Sequence, residues 1–342
     1  MVETEPPQRE AETPWAKEGP RPPTVSVVIP CFNSQDLIAG TIASVAAQTL
    51  ASVEIIVVDD ASTDATVEVA RQALEQSGRE GRLVRCLANG GPAQARNEGV
   101  RRARGEFVAF LDSDDSWMPE KLERQVALMH ADPHVTLCAC QAIWVDEETG
   151  RQWPLFRDLP TFSRDGWRRL LWQTYVATPC VMARRDDLGT APFDVRLRVA
   201  EDRDLWFKLA SNGTVALVQE PMVHIRVSRR SYMAQHVRLI RDHTVPMIRR
   251  NMASFAEVLT LRERMRTLGR LHAELGRSMV DSPAPWVRGA MHLVWAAMLG
   301  DRPMDNLTKV LATAPWLGST LAALRRWRRR LTPAGAPQGP PA

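Results

Sequence analysis

The sequence predicts an open α/β fold on a mostly parallel central sheet, and three observations carry that prediction. Short β-branched runs alternate with amphipathic segments of about 10 to 15 residues through the first third of the chain, the spacing of repeated βαβ units. Each run stops in a polar, acidic or glycine-containing turn, as expected where strands open onto a ligand crevice. From about residue 232 to 330 the pattern turns helical, which predicts a C-terminal helical extension.

The elements follow in order. Residues 1–23 are proline-rich and charged, a composition that resists packing, and read as a disordered leader. Val25-Ser26-Val27-Val28-Ile29, stopped by Pro30, is a buried strand. Asn33 or Ser34 can cap the helix that follows, with Leu37, Ile38, Ile42 and Val45 on one side. A second strand, Glu54-Ile55-Ile56-Val57-Val58, ends in Asp59-Asp60, after which Ser62, Thr63 and Asp64 supply cap chemistry. A third strand at 83–87 leads to Asn89-Gly90-Gly91-Pro92, a turn that opens a helix with proline in its first turn. The fourth, Phe107-Val108-Ala109-Phe110-Leu111, runs into Asp112-Ser113-Asp114-Asp115. A helix from Pro119, a strand at 135–143, a helix near 165–173, a helix at 204–210 and a strand at 214–218 complete the domain. The boundaries drawn are a catalytic-type domain at 24–231, a helical region at 232–330 and a disordered tail at 331–342.

The chain has 342 residues, with 44% hydrophobic and 25% charged, so a sizeable core can form. A net charge of +4 is too mild to argue for nucleic acid, although the C-terminal third is arginine-rich and carries Arg325-Arg326-Trp327-Arg328-Arg329-Arg330. Five scattered cysteines without a Cys-x-x-Cys pair argue against a disulfide framework or a structural zinc site. Cys138 and Cys140, two apart on a strand, read as small core residues. The leader has no apolar signal-type stretch, and no apolar run approaches the ~20 residues of a membrane span, so the expected compartment is the cytosol.

Four strand ends carry the chemistry. Asp112, Asp114 and Asp115 place three carboxylates at the sheet mouth, where mutual repulsion raises their pKa values unless a cation intervenes. Oxygen ligands suit Mn²⁺ or Mg²⁺, whose shell is completed by water and substrate phosphate; the bland reading is a solvated turn that caps the next helix. Asp60 can accept a hydrogen bond from a base or ribose, or simply begin a helix. Arg96, one turn into the glycine-led helix, faces either a nucleotide or solvent. Glu201-Asp202 offers a general base for an acceptor hydroxyl or an N-cap, and spacing does not choose between them. His224, Arg226, Arg229 and Arg230 can close over a diphosphate, with histidine as an alternative metal ligand, or form a basic loop.

Together these segments resemble one family. The runs at 25–33 and 57–64, with Gly91-Pro92-Ala93-Gln94-Ala95-Arg96-Asn97, look like the opening motifs of family-2 glycosyltransferases. Residues 107–115 resemble their DxD segment, followed by Trp117, Pro119 and Leu122, and Phe193-Asp194 through Ala200-Glu201-Asp202-Arg203-Asp204-Leu205-Trp206 resembles their later acidic motif. The likeness covers roughly 24–230. It implies a GT-A fold, a Rossmann-like sheet flanked by helices, and an inverting transfer from a nucleotide-sugar, with UDP as the expected nucleotide. By that resemblance Pro30, Asn33 and Asp60 line the uridine pocket and Asp112 lies near the ribose. Asp114, helped by Asp115, would hold Mn²⁺ or Mg²⁺, and Asp202 would deprotonate the acceptor hydroxyl of a glycan or lipid-linked acceptor. Two departures stand out: Cys31 replaces the usual tyrosine or small residue, and Val223-His224-Ile225-Arg226 lacks the common tyrosine.

Two rival classes of function fit the sequence less well. A nucleotidyltransferase would carry a glycine- and lysine-rich phosphate loop after its first strand, and Pro30-Cys31-Phe32-Asn33 is nothing like one. A catalytically silent nucleotide-sugar scaffold is opposed by the intact Asp112, Asp114 and Asp202. In the helical region, Trp286, Trp295, Trp316 and Trp327 with the arginines suit either a peripheral contact at the inner membrane face or ordinary packing, and packing is favoured.

Overall fold

The computed structural model describes residues 13–14, 22–155, 160–173, 176–227, 236–280, 286–299 and 301–313. Most of the leader, Arg229, Arg230, Trp316, Trp327, the arginine cluster and the tail lie outside the described residues. The chain divides into two compact units, the first running essentially to Arg229 and the second from Arg230.

The first unit contains, in order, β1 (Thr13–Pro14), β2 (Val25–Cys31), α1 (Ile38–Ala46), β3 (Val53–Asp59), α2 (Thr66–Gln76), β4 (Glu80–Arg85) and α3 (Pro92–Arg102). It continues with β5 (Phe107–Phe110), β6 (Ser116–Trp117), α4 (Lys121–Ala131), β7 (Val135–Asp146), β8 (Gln152–Pro154), β9 (Phe162–Ser163) and α5 (Gly166–Trp172). Then come β10 (Met182–Arg184), α6 (Arg185–Leu188), α7 (Glu201–Asn212) and β11 (Thr214–Val227). The sheet order is β1-β4-β3-β2-β5-β10-β7-β11-β6.

The strands β2 and β3 are buried at every residue, which is why their sequences are near-continuous valine and isoleucine rather than alternating. On one face Val27, Ile29, Val57 and Cys138 pack with Ile38, Ile42, Leu74 and Leu122. Each such buried aliphatic side chain contributes roughly 1.5–3 kcal/mol. On the other face α3 lies so close to β2 that a Cβ on Gly99 would sit 2.3 Å from Val28 Cγ1. Phe110, Phe193 and Trp206 meet there with ring centroids 5.3–5.8 Å apart. Cys138 and Cys140 are buried, and all five cysteines are free.

The predicted α/β architecture is present, with instructive differences. The β4-β3-β2-β5 core is parallel, but β10 enters antiparallel between β5 and β7, so the sheet is mixed. Neither Asn33 nor Ser34 caps α1 with its side chain; the backbone carbonyl of Ser34 accepts from Leu37 and Ile38 instead. The last helix starts at Glu201 rather than 204, because its acidic residues occupy the first turn, where the helix dipole favours negative charge. Finally, β11 runs to Val227, its register against β7 shifting around Pro221, where a residue without an N–H interrupts the ladder.

The second unit contains α8 (His236–Leu239), a π-helical turn at Ile240–Thr244, α9 (Val245–Ser254), α10 (Leu261–Val280), α11 (Trp286–Met298) and α12 (Pro303–Thr313). Leu271, Ala273, Leu275, Leu293 and Ala296 are buried in it. His272 Nδ1 lies 2.8 Å from His292 Nδ1, linking α10 to α11. Arg277 Nη1 donates to Asn306 Oδ1 at 3.1 Å, linking α10 to α12. Among the described residues, no helix is long and apolar enough to cross a membrane.

Candidate active site

Two clefts of about 410 Å³ each flank the run Asp112–Asp115 at the carboxyl end of the parallel strands. The first is lined by Pro30, Phe32, Asp60, Gly91, Arg96 and Asp112, among others. The second is lined by Asp36, Thr41, Asp114, Asp115, His224 and Arg226, among others. The turn between them is fixed from α1, since Thr41 Oγ1 donates to the carbonyls of Ser113 and Asp115, both at 2.9 Å. Ser34 and Ser113 hydroxyls are bonded at 2.9 Å.

In the first cleft, Asp60 accepts the N–H groups of Gly90 at 2.9 Å and Gly91 at 2.8 Å, one on each carboxylate oxygen. Gly91 adopts φ +84°, a conformation that a side chain would strain and that aims the glycine N–H groups at the carboxylate. Burial raises the pKa of Asp60 against the lowering effect of those two bonds. Each oxygen retains a second acceptor site for a ligand N–H or hydroxyl. Asn33, in the left-handed region at φ +49°, uses Oδ1 to accept the Thr63 N–H at 2.9 Å, so its carbonyl braces the β3–α2 turn. Asp64, just ahead of α2, accepts the N–H of the helix's first residue, Thr66, at 3.0 Å.

Arg96 joins the two halves of the site. It is 5% exposed, and its Nη2 donates to Asp112 Oδ1 at 2.7 Å while Nη1 donates to Glu201 Oε1 at 2.9 Å. Its guanidinium also lies 5.5 Å from the Phe193 ring centroid. The next residue, Asn97, exchanges two hydrogen bonds with the backbone of Phe193, at 2.8 and 2.9 Å, which docks the 193–200 loop on α3. That loop ends at Ala200, left-handed at φ +62°, immediately before Glu201 and Asp202. A non-glycine residue in that conformation costs about 1–2 kcal/mol, strain stored immediately before the two acidic residues that open α7. Glu201 is driven to a raised pKa first by burial and then by Asp202, with Arg96 opposing.

Asp202 Oδ2 accepts the hydroxyl of Thr178 at 2.9 Å, and Oδ1 accepts the Arg203 N–H at 2.6 Å. Nothing in the sequence around Thr178 signals this contact, because the stretch has no hydrophobic periodicity. In the structure a 3₁₀ turn at Thr178–Cys180 presents the hydroxyl.

The metal-type residues are brought together in part. Asp115 is 5% exposed, and its Oδ1 accepts the Arg226 N–H at 2.9 Å. Burial first, then Asp112 and Asp114, pushes its pKa well above the ordinary carboxylate value; Asp114 is exposed at the surface of the cleft, and partial desolvation there with the Asp112 charge raises it too. His224 pairs across the sheet with Ser116 and lines the same cleft. Arg226 directs its guanidinium to Glu147, Nε to Oε1 at 2.6 Å, rather than to the aspartates. Among the described residues no group of three His, Cys, Asp or Glu side chains is close enough to hold a metal by itself. Asp114 and Asp115 are oxygen donors of the kind a hard cation takes one or two at a time.

An open α/β sheet with acidic strand ends and paired crevices is an architecture that binds ligands at the carboxyl ends of its strands, and comparison with known proteins narrows the class. The model of glycosyl transferase family 2 matches residues 26–189. A Bacillus subtilis protein named as a teichuronic acid biosynthesis glycosyltransferase, TuaG, is 32% identical over 194 residues, 57% of this chain and 75% of its own length. The mannosyltransferase PcManGT of Pyrobaculum calidifontis, in complex with GDP-Man and Mn²⁺, aligns with a TM-score of 0.56 at 24% identity, covering 92% of this chain and 87% of that one. TarS of S. aureus in complex with UDP-GlcNAc aligns with a TM-score of 0.55 at 22% identity, covering 84% and 90%. The chain belongs to glycosyl transferase family 2 and has the GT-A fold.

Proposed function

We propose that the chain is an inverting glycosyltransferase that moves a sugar from a UDP-sugar to a hydroxyl of a glycan or lipid-linked acceptor. The observation that carries this reading is Arg96, whose single guanidinium binds both Asp112 on the donor side and Glu201, the neighbour of Asp202. The nucleotide lies in the cleft of Pro30, Asp60, Arg96 and Asp112, with Asn33 bracing its wall. TarS with UDP-GlcNAc supports the choice of nucleotide, while PcManGT with GDP-Man shows that another is accommodated on this fold.

The reaction needs one proton moved and one bond exchanged. Asp202 accepts the acceptor's hydroxyl proton as that oxygen attacks the anomeric carbon from the face opposite the diphosphate. A new C–O bond forms, the bond to the diphosphate breaks, and the nucleoside diphosphate leaves with the electron pair. Asp114 and Asp115 would hold Mn²⁺ or Mg²⁺, and His224 lines the same cleft. Such an ion, when bound, neutralises charge developing on the diphosphate. Arg226 closes the second cleft through its backbone bond to Asp115.

A panel of nucleotide-sugars, scored for binding and slow hydrolysis in Mn²⁺, Mg²⁺ and EDTA, tests the reading. UDP-sugar binding that strengthens with the metal is expected, and failure of every nucleotide to bind in every metal would sink it. Asp202→Asn should bind donor normally and lose transfer by about 10²-fold or more. Normal binding without any turnover by the unmodified protein would point to a silent scaffold.

A further inference from the structure

We propose that the second unit seats this chain on an anionic lipid surface, through an exposed apolar stripe on α11 continued by the start of α12. Among the described residues, 13 large hydrophobic side chains are exposed, and nine of these belong to the second unit although it is much the smaller. Six lie on two consecutive helices: Met291, Val294, Trp295 and Met298 on α11, and Met304 and Leu307 on α12. Trp295 is 51% exposed and Met298 69%.

The helical spacing makes this a face rather than a scatter. Residues 291, 295 and 298 fall on one side of α11, while Ala290, Leu293 and Ala296 on the other side are buried in the unit's own core. α11 buries one apolar side in the unit's core and leaves a second apolar side outside it, which an ordinary solvated helix face does not do. With 13 residues it is about 20 Å long and too short to span a bilayer. It suits the interface, where Trp and the flexible Met side chains insert shallowly.

Charge selects the occupant. Residues 230–342 hold 18 Lys and Arg against seven Asp and Glu, a net +11, so the rest of the chain carries −7. Arg288, one turn before Met291, and Arg302, between the two helices, are exposed beside the stripe. The nearest acids are Asp301, 3.8 Å from Arg270, and Asp305. A second copy would bring two strongly basic units together and be repelled. Residues 314–342 include five arginines and no acid, so they would add to the attraction of an anionic surface. Negative lipid headgroups with an apolar phase beneath them match both features at once.

The inference stands apart from the donor reading, and one experiment separates them. The full chain is sedimented with phosphatidylglycerol-containing vesicles and with pure phosphatidylcholine vesicles, and UDP binding is followed in parallel. Binding is expected to the anionic vesicles, to weaken with salt, and to fall about tenfold or more in the double variant Met291→Ser, Met298→Ser. Both side chains are exposed, so the variant should fold and bind UDP as the parent does. Absence of vesicle binding, or equal binding by parent and variant, overturns the proposal. So does a parent that runs as a dimer in gel filtration and a variant that runs as a monomer, which would make the stripe a contact between copies.

Discussion

The hydroxyl of Thr178 donates to Oδ2 of Asp202 at 2.9 Å, so the proposed base is held by a residue 24 positions away in sequence. A hydrogen bond to a charged group is worth about 1.5–3 kcal/mol. Thr178→Val should therefore lower the transfer or donor-hydrolysis rate about 10- to 100-fold with little change in UDP affinity. Thr178→Ser, which keeps the hydroxyl, should restore most of it. A Ser variant as slow as the Val variant would show that Thr178 serves packing rather than orientation.

Arg96 is the only cation directly bonded to Asp112 or Glu201 in the bonds described, and the three form one network in which Arg96 and Glu201 are buried and Asp112 is partly exposed. Removing the guanidinium strands two carboxylates, which costs about 3–5 kcal/mol when a buried pair is broken. Arg96→Met should lower the melting temperature of the first unit sharply, and Mn²⁺ should recover more of the loss in the variant than it adds to the parent. Arg96→Lys should fall between them, because one ammonium cannot reproduce the two-pronged geometry. Melting unaffected by Arg96→Met would contradict the network's role.

How much of this could be read beforehand follows from how local each signal is. The strands at Val25–Cys31 and Val53–Asp59 were legible because burial on both faces demands unbroken β-branched residues. The acidic run was legible because its carboxylates are adjacent. In contrast, Met182–Arg184 is only three residues long and carries no periodicity, so its antiparallel insertion was invisible. The direction of Arg96 depends on Glu201, 105 residues away, and helical spacing alone left the arginine ambiguous. The start of α7 was misplaced because apolar spacing begins at Leu205, whereas dipole-favoured acids open the helix at Glu201.

Asp115 is buried beside Asp112 and Asp114, and its folded pKa stands well above the ordinary 3.8. The folded protein therefore holds this proton more tightly than the unfolded chain. The resulting stability is full below the ordinary value and is lost as pH rises through the raised one. In EDTA at neutral pH, Asp115→Asn should therefore melt higher than the parent, by about 2–4 °C for each kcal/mol relieved. The asparagine oxygen can still accept the Arg226 N–H. The two proteins should converge as pH falls towards 4, and a variant that melts lower at neutral pH would contradict the account.

His272 and His292 predict the opposite pH dependence in the second unit. Their Nδ1 atoms are 2.8 Å apart, so one ring donates and the other must accept, and a second proton would replace the bond with two facing cations. Burial lowers both pKa values from 6.5, with His292 and then Arg249 lowering His272 further. The unfolded chain thus takes up protons first as pH drops below 6.5, and stability present above that value is lost until the folded rings titrate too. Circular-dichroism melts should show the helical unit weakening between pH 7 and about 5.5. The variant His292→Gln, which retains a donor and an acceptor without a titrating ring, should flatten that slope. An unchanged slope in the variant would assign the acid sensitivity to other groups.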